Sequence, residues 1–182
     1  MPSVRIPLSP APHQVATLRE ILAGFEVFCS TVRQVAAKHH TRHQAALHAL
    51  CYRLLCPTGT KDGLPTQFAI RAISRVSHQL RAEALGLDDP YPDRSFDLDS
   101  RCASLEPHLQ ALAISSADGR PFRGRTAQDA RLRIPATMPA DLPPGSMPYL
   151  AGASLVLPRR GKPYLLARYE LSQALEAQED PE

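Results

Sequence analysis

Three arginines, Arg71, Arg75 and Arg81, stand in a stretch of residues 63–85 whose other positions read as a helix. Pro65 opens that stretch at a first helical position and Gly86 closes it. Ala69, Ala72, Ile73, Val76 and Leu80 recur at helical spacing, so one stripe is expected to be buried. The arginines project from other parts of the helix, with Glu83 the only acid in the segment to answer them. Guanidinium groups offer planar, bidentate hydrogen bonding to oxyanions. A helix with one apolar stripe and a cationic polar side therefore suits phosphate. The periodicity alone equally allows a core helix with ordinary surface arginines. Arg53 and Lys61, just upstream, extend the same basic block.

Other candidates are weaker one by one. Arg101, Arg120, Arg123 and Arg125 fall around expected hairpin ends, and Arg159, Arg160 and Lys162 on a final turn, where cations are often merely solvated. Tyr52, Tyr164 and Tyr169 could stack on bases, although their stripe positions suit a core. His39, His40 and His43 have spacing that could share a metal ion. No Glu accompanies them and Lys38 and Arg42 would repel a cation, so a solvated or phosphate-facing cluster is expected. Asp97 and Asp99, two apart on a strand, share a side, with Arg94 or Arg101 as the expected partner. No nucleophile elbow with its Ser-His-Asp order and no phosphate-cradling glycine loop occurs. Neither a cofactor nor a metal is expected.

The elements that must position these residues follow from the patterning. Val4, Ile6 and Leu8 alternate as a short strand ended by Ser9-Pro10. Val15, Leu18, Leu22, Phe25, Cys29, Val32 and Ala36 step by three and four, with Ile21, Phe28 and Val35 widening the seam, which predicts a helix with contacts on two sides. A second helix over about residues 42–55 would bury Leu47, Leu50, Cys51, Leu54 and Leu55 and expose Arg53. The basic segment is the third helix, and the three form a bundle of about 75 residues, marginal on its own. From residue 96 the period turns toward two. Phe96 and Leu98, then Cys102 to Leu105, suggest a strand pair. A strand over 109–115 turns at Asp118-Gly119, and Leu132 and Ile134 begin another. Residues 135–148 carry five prolines and read as a loop. Residues 153–157 and 164–169 flank Arg159-Arg160-Gly161 as a closing hairpin. The first strand cannot stand alone and must pair with later ones. The expectation is α+β: a small antiparallel barrel or sandwich interrupted by a helical insertion.

Charge is distributed unevenly along the 182 residues, whose net charge is +3. Residues 33–85 hold eight Lys and Arg against two acids, and residues 120–168 hold nine against two. The balancing acids lie in residues 88–99 and in the last thirteen residues. Such blocks suggest polyanion binding on particular faces; an even spread in space is the competing possibility. The four cysteines match no zinc or disulfide spacing, and Cys29, Cys51 and Cys56 lie on or beside apolar stripes as small core residues. The opening residues lack the apolar core of a signal peptide, and no apolar run nears the ~20 residues of a membrane span. A cytoplasmic protein without a membrane partner is expected.

Read in order, the motifs form a series. Ile6-Pro7-Leu8-Ser9-Pro10 is followed by His13-Gln14 and Leu18-Arg19, then Leu47-His48 with Tyr52. Gly63-Leu64-Pro65-Thr66-Gln67-Phe68-Ala69-Ile70-Arg71-Ala72-Ile73 is the sharpest motif. Leu98-Asp99-Ser100-Arg101, then Ile114 to Arg120, then Leu155 to Leu166 complete it. From about residue 4 to residue 169 the chain resembles the N-terminal half of the TnpB-type (OrfB) transposon-encoded proteins, RNA-guided nucleases related to compact type V CRISPR effectors. The resemblance implies an oligonucleotide-binding-type wedge barrel interrupted by a three-helix recognition insertion. Residues 1–9 would be the first wedge strand, 10–86 the recognition insertion, 87–170 the remaining wedge strands with the Pro-rich loop 135–148, and 171–182 an acidic tail. It also implies a task, gripping a structured guide RNA and target double-stranded DNA, in which base pairing reads sequence and protein reads phosphate and shape.

The departure from that family is at the end of the series. Its members continue into a RuvC-like domain whose first catalytic Asp sits in a Gly-Ile/Val-Asp-x-Gly strand, whereas here Tyr169-Glu170 runs into Leu-Ser-Gln-Ala-Leu-Glu-Ala. Phosphodiester cleavage of that kind needs converging carboxylates around metal ions, so the chain alone is expected to bind and not to cut. Two alternatives stay open: a subunit complementing a separate RuvC nuclease polypeptide in trans, and an inactive truncated remnant. If about five cations reach phosphates, affinity should fall roughly a few hundredfold from 50 to 200 mM salt.

Overall fold

The computed structural model describes residues 3–56, 64, 66–106, 108, 110–115, 131–140 and 148–169. Its elements run β1 (Ser3–Pro7), α1 (Pro12–Lys38), α2 (Gln44–Leu55), α3 (Thr66–Ala84), β2 (Ser95–Leu98), β3 (Ala103–Glu106), β4 (Ala111–Ser115), β5 (Arg131–Pro135), β6 (Pro148–Val156) and β7 (Tyr164–Tyr169). The fold is α+β, with three helices and two antiparallel sheets among the described residues. One sheet has the order β1-β7-β6-β2, the other β3-β4-β5, so among the described residues the strands form two sheets and not the closed barrel expected.

The first strand does pair with the last, Ile6 opposite Leu165 and Arg5 opposite Leu166. The helices thus interrupt a sheet whose two edges, β1 and β2, are their entry and exit. Phe96 and Leu98 are not part of a hairpin with Cys102 to Leu105, contrary to the alternation-based expectation. β2 pairs with β6, and β3 pairs with β4, so the turn at Asp99–Cys102 carries the chain from one sheet to the other. Alternation marks strands but not their partners. The closing hairpin β6–β7 forms as expected, and β6 begins earlier, at Pro148, with a register shift between Tyr149 and Ser154 where Gly152 has φ +75°. The sheets also touch at an isolated bridge between Leu8 and Ala136.

Two cores share α1. Its first half packs with the sheets: Leu18, Ile21, Leu22 and Phe25 join Ile6, Leu8, Phe96, Leu112, Ile114, Ile134, Leu155 and Leu165. Its second half packs in the bundle, where Val32 and Ala36 meet Leu47, Cys51, Leu55, Ala69, Ile73 and Val76. Cys51 is a buried core residue, and Cys29 and Cys56 pack against that core half-buried. Leu50 and Leu54 do not point inward as expected; they are 37% and 62% exposed. α2 has only the α1–α3 groove to fill, and one stripe at fourfold spacing, Leu47, Cys51 and Leu55, fills it.

The helix ends follow local rules. Pro12 opens α1, and the Gln14 side chain accepts from the Ala11 N–H (2.8 Å) while donating to the Arg133 carbonyl, which ties the helix start to β5. Gly86, with φ +67°, ends α3 as the sequence predicts. Among the described residues no helix is long and apolar enough to cross a membrane.

Candidate nucleic-acid interface

The polar stripe of α3 faces the sheet. Gln67, Arg71 and Arg75 repeat every fourth residue, and Asp97 and Asp99 stand two apart on and just after β2. The two rows meet. Arg75 donates from Nε (3.0 Å) and Nη2 (2.7 Å) to the two oxygens of Asp97, and from Nη1 and Nη2 to the Ser95 carbonyl (2.7 Å) and hydroxyl (2.8 Å). Ser154 Oγ donates to the same carboxylate from β6 (2.8 Å). The Arg75 guanidinium lies 4.5 Å from the Tyr91 ring centre and 5.2 Å from that of Phe25. Arg75 and Asp97 are 7% and 5% exposed.

Beside this pair, Arg71 Nε sits 3.2 Å from Asp99 without hydrogen-bond alignment, and Gln67 donates to the same carboxylate. Arg75 is therefore not available to a phosphate, and Arg71 is largely committed. Asp97 and Asp99 answer them, not Glu83, and the expected partners are otherwise engaged. Arg94 Nε donates to the Leu157 carbonyl (3.0 Å), and Arg101 meets Asp99 through its backbone N–H (3.0 Å). A bidentate, desolvated Arg–Asp pair is a strong directional contact, and here it fastens the helical insertion to the sheet.

The same burial governs the thiols nearby. It pushes Cys29 up to about 12 despite the opposing pull of the Arg75 guanidinium. Cys102 is likewise pushed up to about 12 by burial, although an Asp99 backbone hydrogen bond works against it. Neither is a nucleophile near neutral pH.

The remaining expected cations are dispersed. Arg53 is exposed on α2, Arg81 in the last turn of α3, and Arg101 in the turn between the sheets. Lys61, Arg120, Arg123 and Arg125 lie outside the described residues, as do the Asp118-Gly119 turn, Pro65 and the acidic tail. Arg159, Arg160 and Lys162 are exposed together on the β6–β7 turn, and Gly161 among them has φ +95°. There the structure gathers two cations that the sequence reading missed. Arg19 from α1 and Arg94, from the residue before β2, join Arg159 in lining a cleft of about 410 Å³, with Val15, Leu157 and Pro163 as apolar lining. Among the described residues no carboxylate lines it. Arg94 has φ +51°, and its carbonyl accepts from the Leu157 N–H (2.9 Å), which ties its backbone to a second lining residue of the cleft.

On the neighbouring strands, Arg5 stacks on the Tyr164 ring at 3.8 Å, so Tyr164 is half-buried under a cation and not part of the core. Tyr52 is half-buried too, stacked on His48 with centres 5.0 Å apart. The side chain of Tyr169 lies outside the described residues. Among the described residues no three His, Cys, Asp or Glu side chains gather as a metal site would require. No family model matches the chain, and no curated protein or solved structure matches it significantly.

Proposed function

We propose that this protein binds nucleic acid, holding a sugar–phosphate strand in the cleft between the start of α1 and the β6–β7 turn. The observation that carries the reading is the convergence there of Arg19, Arg94 and Arg159, from three separate segments of the chain, with no carboxylate among the described lining residues. Arg160 and Lys162 on the same turn extend the positive surface. An unmatched cluster of guanidinium groups attracts a polyanion and can bind its phosphates bidentately. The Arg5–Tyr164 pair adds an exposed cation on an aromatic ring, a surface on which a base can stack.

The resemblance to TnpB-type proteins makes the strand a structured guide RNA, target double-stranded DNA or transposon-end DNA. In this reading the two sheets, which do not close into a barrel among the described residues, take the place of the oligonucleotide-binding-type wedge, and their common core and the Leu8–Ala136 bridge support treating them as one unit. The three helices are the recognition insertion. The chain by itself binds without cleaving; a RuvC-type nuclease polypeptide is the partner that would supply cleavage.

The test is retention of RNA on purification, followed by binding at several salt concentrations. With Arg19, Arg94, Arg159, Arg160 and Lys162 as contacts, log affinity falls against log salt with a slope of about −3.5 to −4.5. A flat salt response, or recovery with no bound RNA and no shift of any RNA or DNA probe, overturns the reading. A separate RuvC polypeptide that copurifies would make the chain a subunit.

A further inference from the structure

We infer that a second cleft, where α1 hands over to α2, is a separate anion site that takes the phosphate group of an organic phosphate ester. It lies about 30 Å along α1 from the first cleft, at 1.5 Å per residue. Its volume is about 570 Å³, with Ala36, Ala37 and Leu80 as apolar lining and Arg33, His40, Arg42 and His43 as polar lining. Among the described residues no carboxylate lines it. Glu83 answers Arg33 (2.8 Å), whereas no described acid pairs with Arg42. A phosphate can meet the guanidinium and imidazole groups while an organic remainder lies on the apolar lining.

The backbone supplies an independent reason. α1 ends with the Thr41 N–H donating to the Ala36 carbonyl (3.1 Å) and the His40 N–H to that of Ala37 (3.4 Å). α3 ends with the same pair, Leu87 to Ala82 (2.9 Å) and Gly86 to Glu83 (3.2 Å). This closure puts one residue at positive φ, and α3 uses glycine there, at +67°. α1 uses His40, at +48°, where a β-carbon is crowded. One chain thus solves the same geometric problem with glycine once and with a strained histidine once, and the histidine lines the cationic cleft. The turn is also fixed in place, because the buried Ser77 donates to the Arg42 carbonyl (2.8 Å). Strain held by a rigid frame at a site of one charge sign is where binding function accumulates.

The test is histidine-ring NMR on the full chain, titrated in parallel with a nucleoside monophosphate and with an oligonucleotide lacking terminal phosphates. The ring signals of His40 and His43 are expected to move, and Arg42→Ala to weaken the effect about tenfold, while Arg159→Ala leaves the response to the monophosphate unchanged. Movement with the monophosphate identifies a free phosphate ester; movement with the oligonucleotide alone identifies backbone phosphate. His40→Gly is expected to raise Tm by about 2–4 °C through relief of strain while weakening binding severalfold. Silence of both rings toward both probes overturns the inference. So does unchanged binding in Arg42→Ala, or in His40→Gly. Because Arg159→Ala reports on the other cleft alone, failure there leaves this site standing.

Discussion

Arg71 and Arg75 on one side, and Arg19, Arg94 and Arg159 on the other, are the same residue type in opposite circumstances. The first two face carboxylates two apart, on and just after β2, and are buried or largely committed, so their charge is spent within the fold. The other three converge on a cleft with no carboxylate among its described lining residues. In the first cluster arginine acts as a fastener between helix and sheet. In the second its field meets no described acid in the cleft. A cationic stripe thus says nothing about function until the acids that can reach it have been counted in space.

The largest expected effect comes from breaking the matched cluster. Arg75→Ala leaves Asp97 buried and unpaired, and should lower stability by about 3–5 kcal/mol. Urea denaturation would show it as a lower midpoint at unchanged slope. Replacing both partners by apolar residues of similar volume, Arg75→Met with Asp97→Leu, should recover much of that loss, since the cost lies in the orphaned charge. A mild loss in Arg75→Ala would mean that water reaches the pair.

Alkaline pH should strain the same region. The Cys29 and Cys102 thiols ordinarily titrate near 9 and are pushed up to about 12 by burial. Between those values the unfolded chain has released protons that the native chain still holds, so stability falls as pH rises from 9 toward 12. Below 9 both states carry the thiol proton and no contribution remains. Tyr91, pushed up to about 12 by burial, acts in the same direction above its ordinary 10. Thermal unfolding across that range checks the sign, and slow thiol labelling of the native protein at neutral pH checks the cause.

Much of the fold was legible because it depends on local pattern. The steps of three and four in α1, the glycine that ends α3 and the alternation of Ile6 and Leu8 each reflect one element's own geometry. Pairing was less legible. β2 and β3 are adjacent in sequence yet belong to different sheets, and nothing in four-residue strands specifies a partner. Leu50 and Leu54 look like core because apolar spacing identifies a face without saying whether a neighbour covers it. The burial of Arg71 and Arg75 was hidden for a related reason. Arg71 and Arg75 sit more than twenty residues from Asp97 and Asp99, and only the packing of α3 on β2 brings the rows together. A signal did exist: Gln67, Arg71 and Arg75 at fourfold spacing interrupt a helix otherwise buried there, and the paired aspartates are their natural complement. Arg19 had no such signal, since it reads as one polar residue on the flank of α1.

Disturbing the unmatched cluster should change binding and spare stability. Arg19→Ala and Arg159→Ala each remove one exposed cation, so stability should stay within about 0.5 kcal/mol. Each lost phosphate contact should shrink the salt slope by about 0.7–0.9. Arg75→Met with Asp97→Leu, by contrast, should leave the slope as it was. If the double substitution lowers the slope and Arg159→Ala does not, the roles of the two clusters are reversed.

Arg33 and Glu83 separate two factors that the comparison otherwise mixes. Like Arg75 and Asp97 they are a matched pair, with a 2.8 Å contact, but their side chains are 39% and 55% exposed. If matching alone made the α3–β2 pair important, Glu83→Gln should cost nearly as much as Arg75→Ala. If burial is decisive, water replaces the lost carboxylate and the cost is about 0–1 kcal/mol, further reduced by added salt. The second outcome is expected, because Arg33 keeps a 3.0 Å hydrogen bond to Gln79, which Asp89 holds in turn at 2.7 Å. A Glu83→Gln loss above about 2 kcal/mol would show this outer network to be rigid and poorly hydrated. The division between structural and ligand-facing arginines would then rest on charge matching, with depth playing no part.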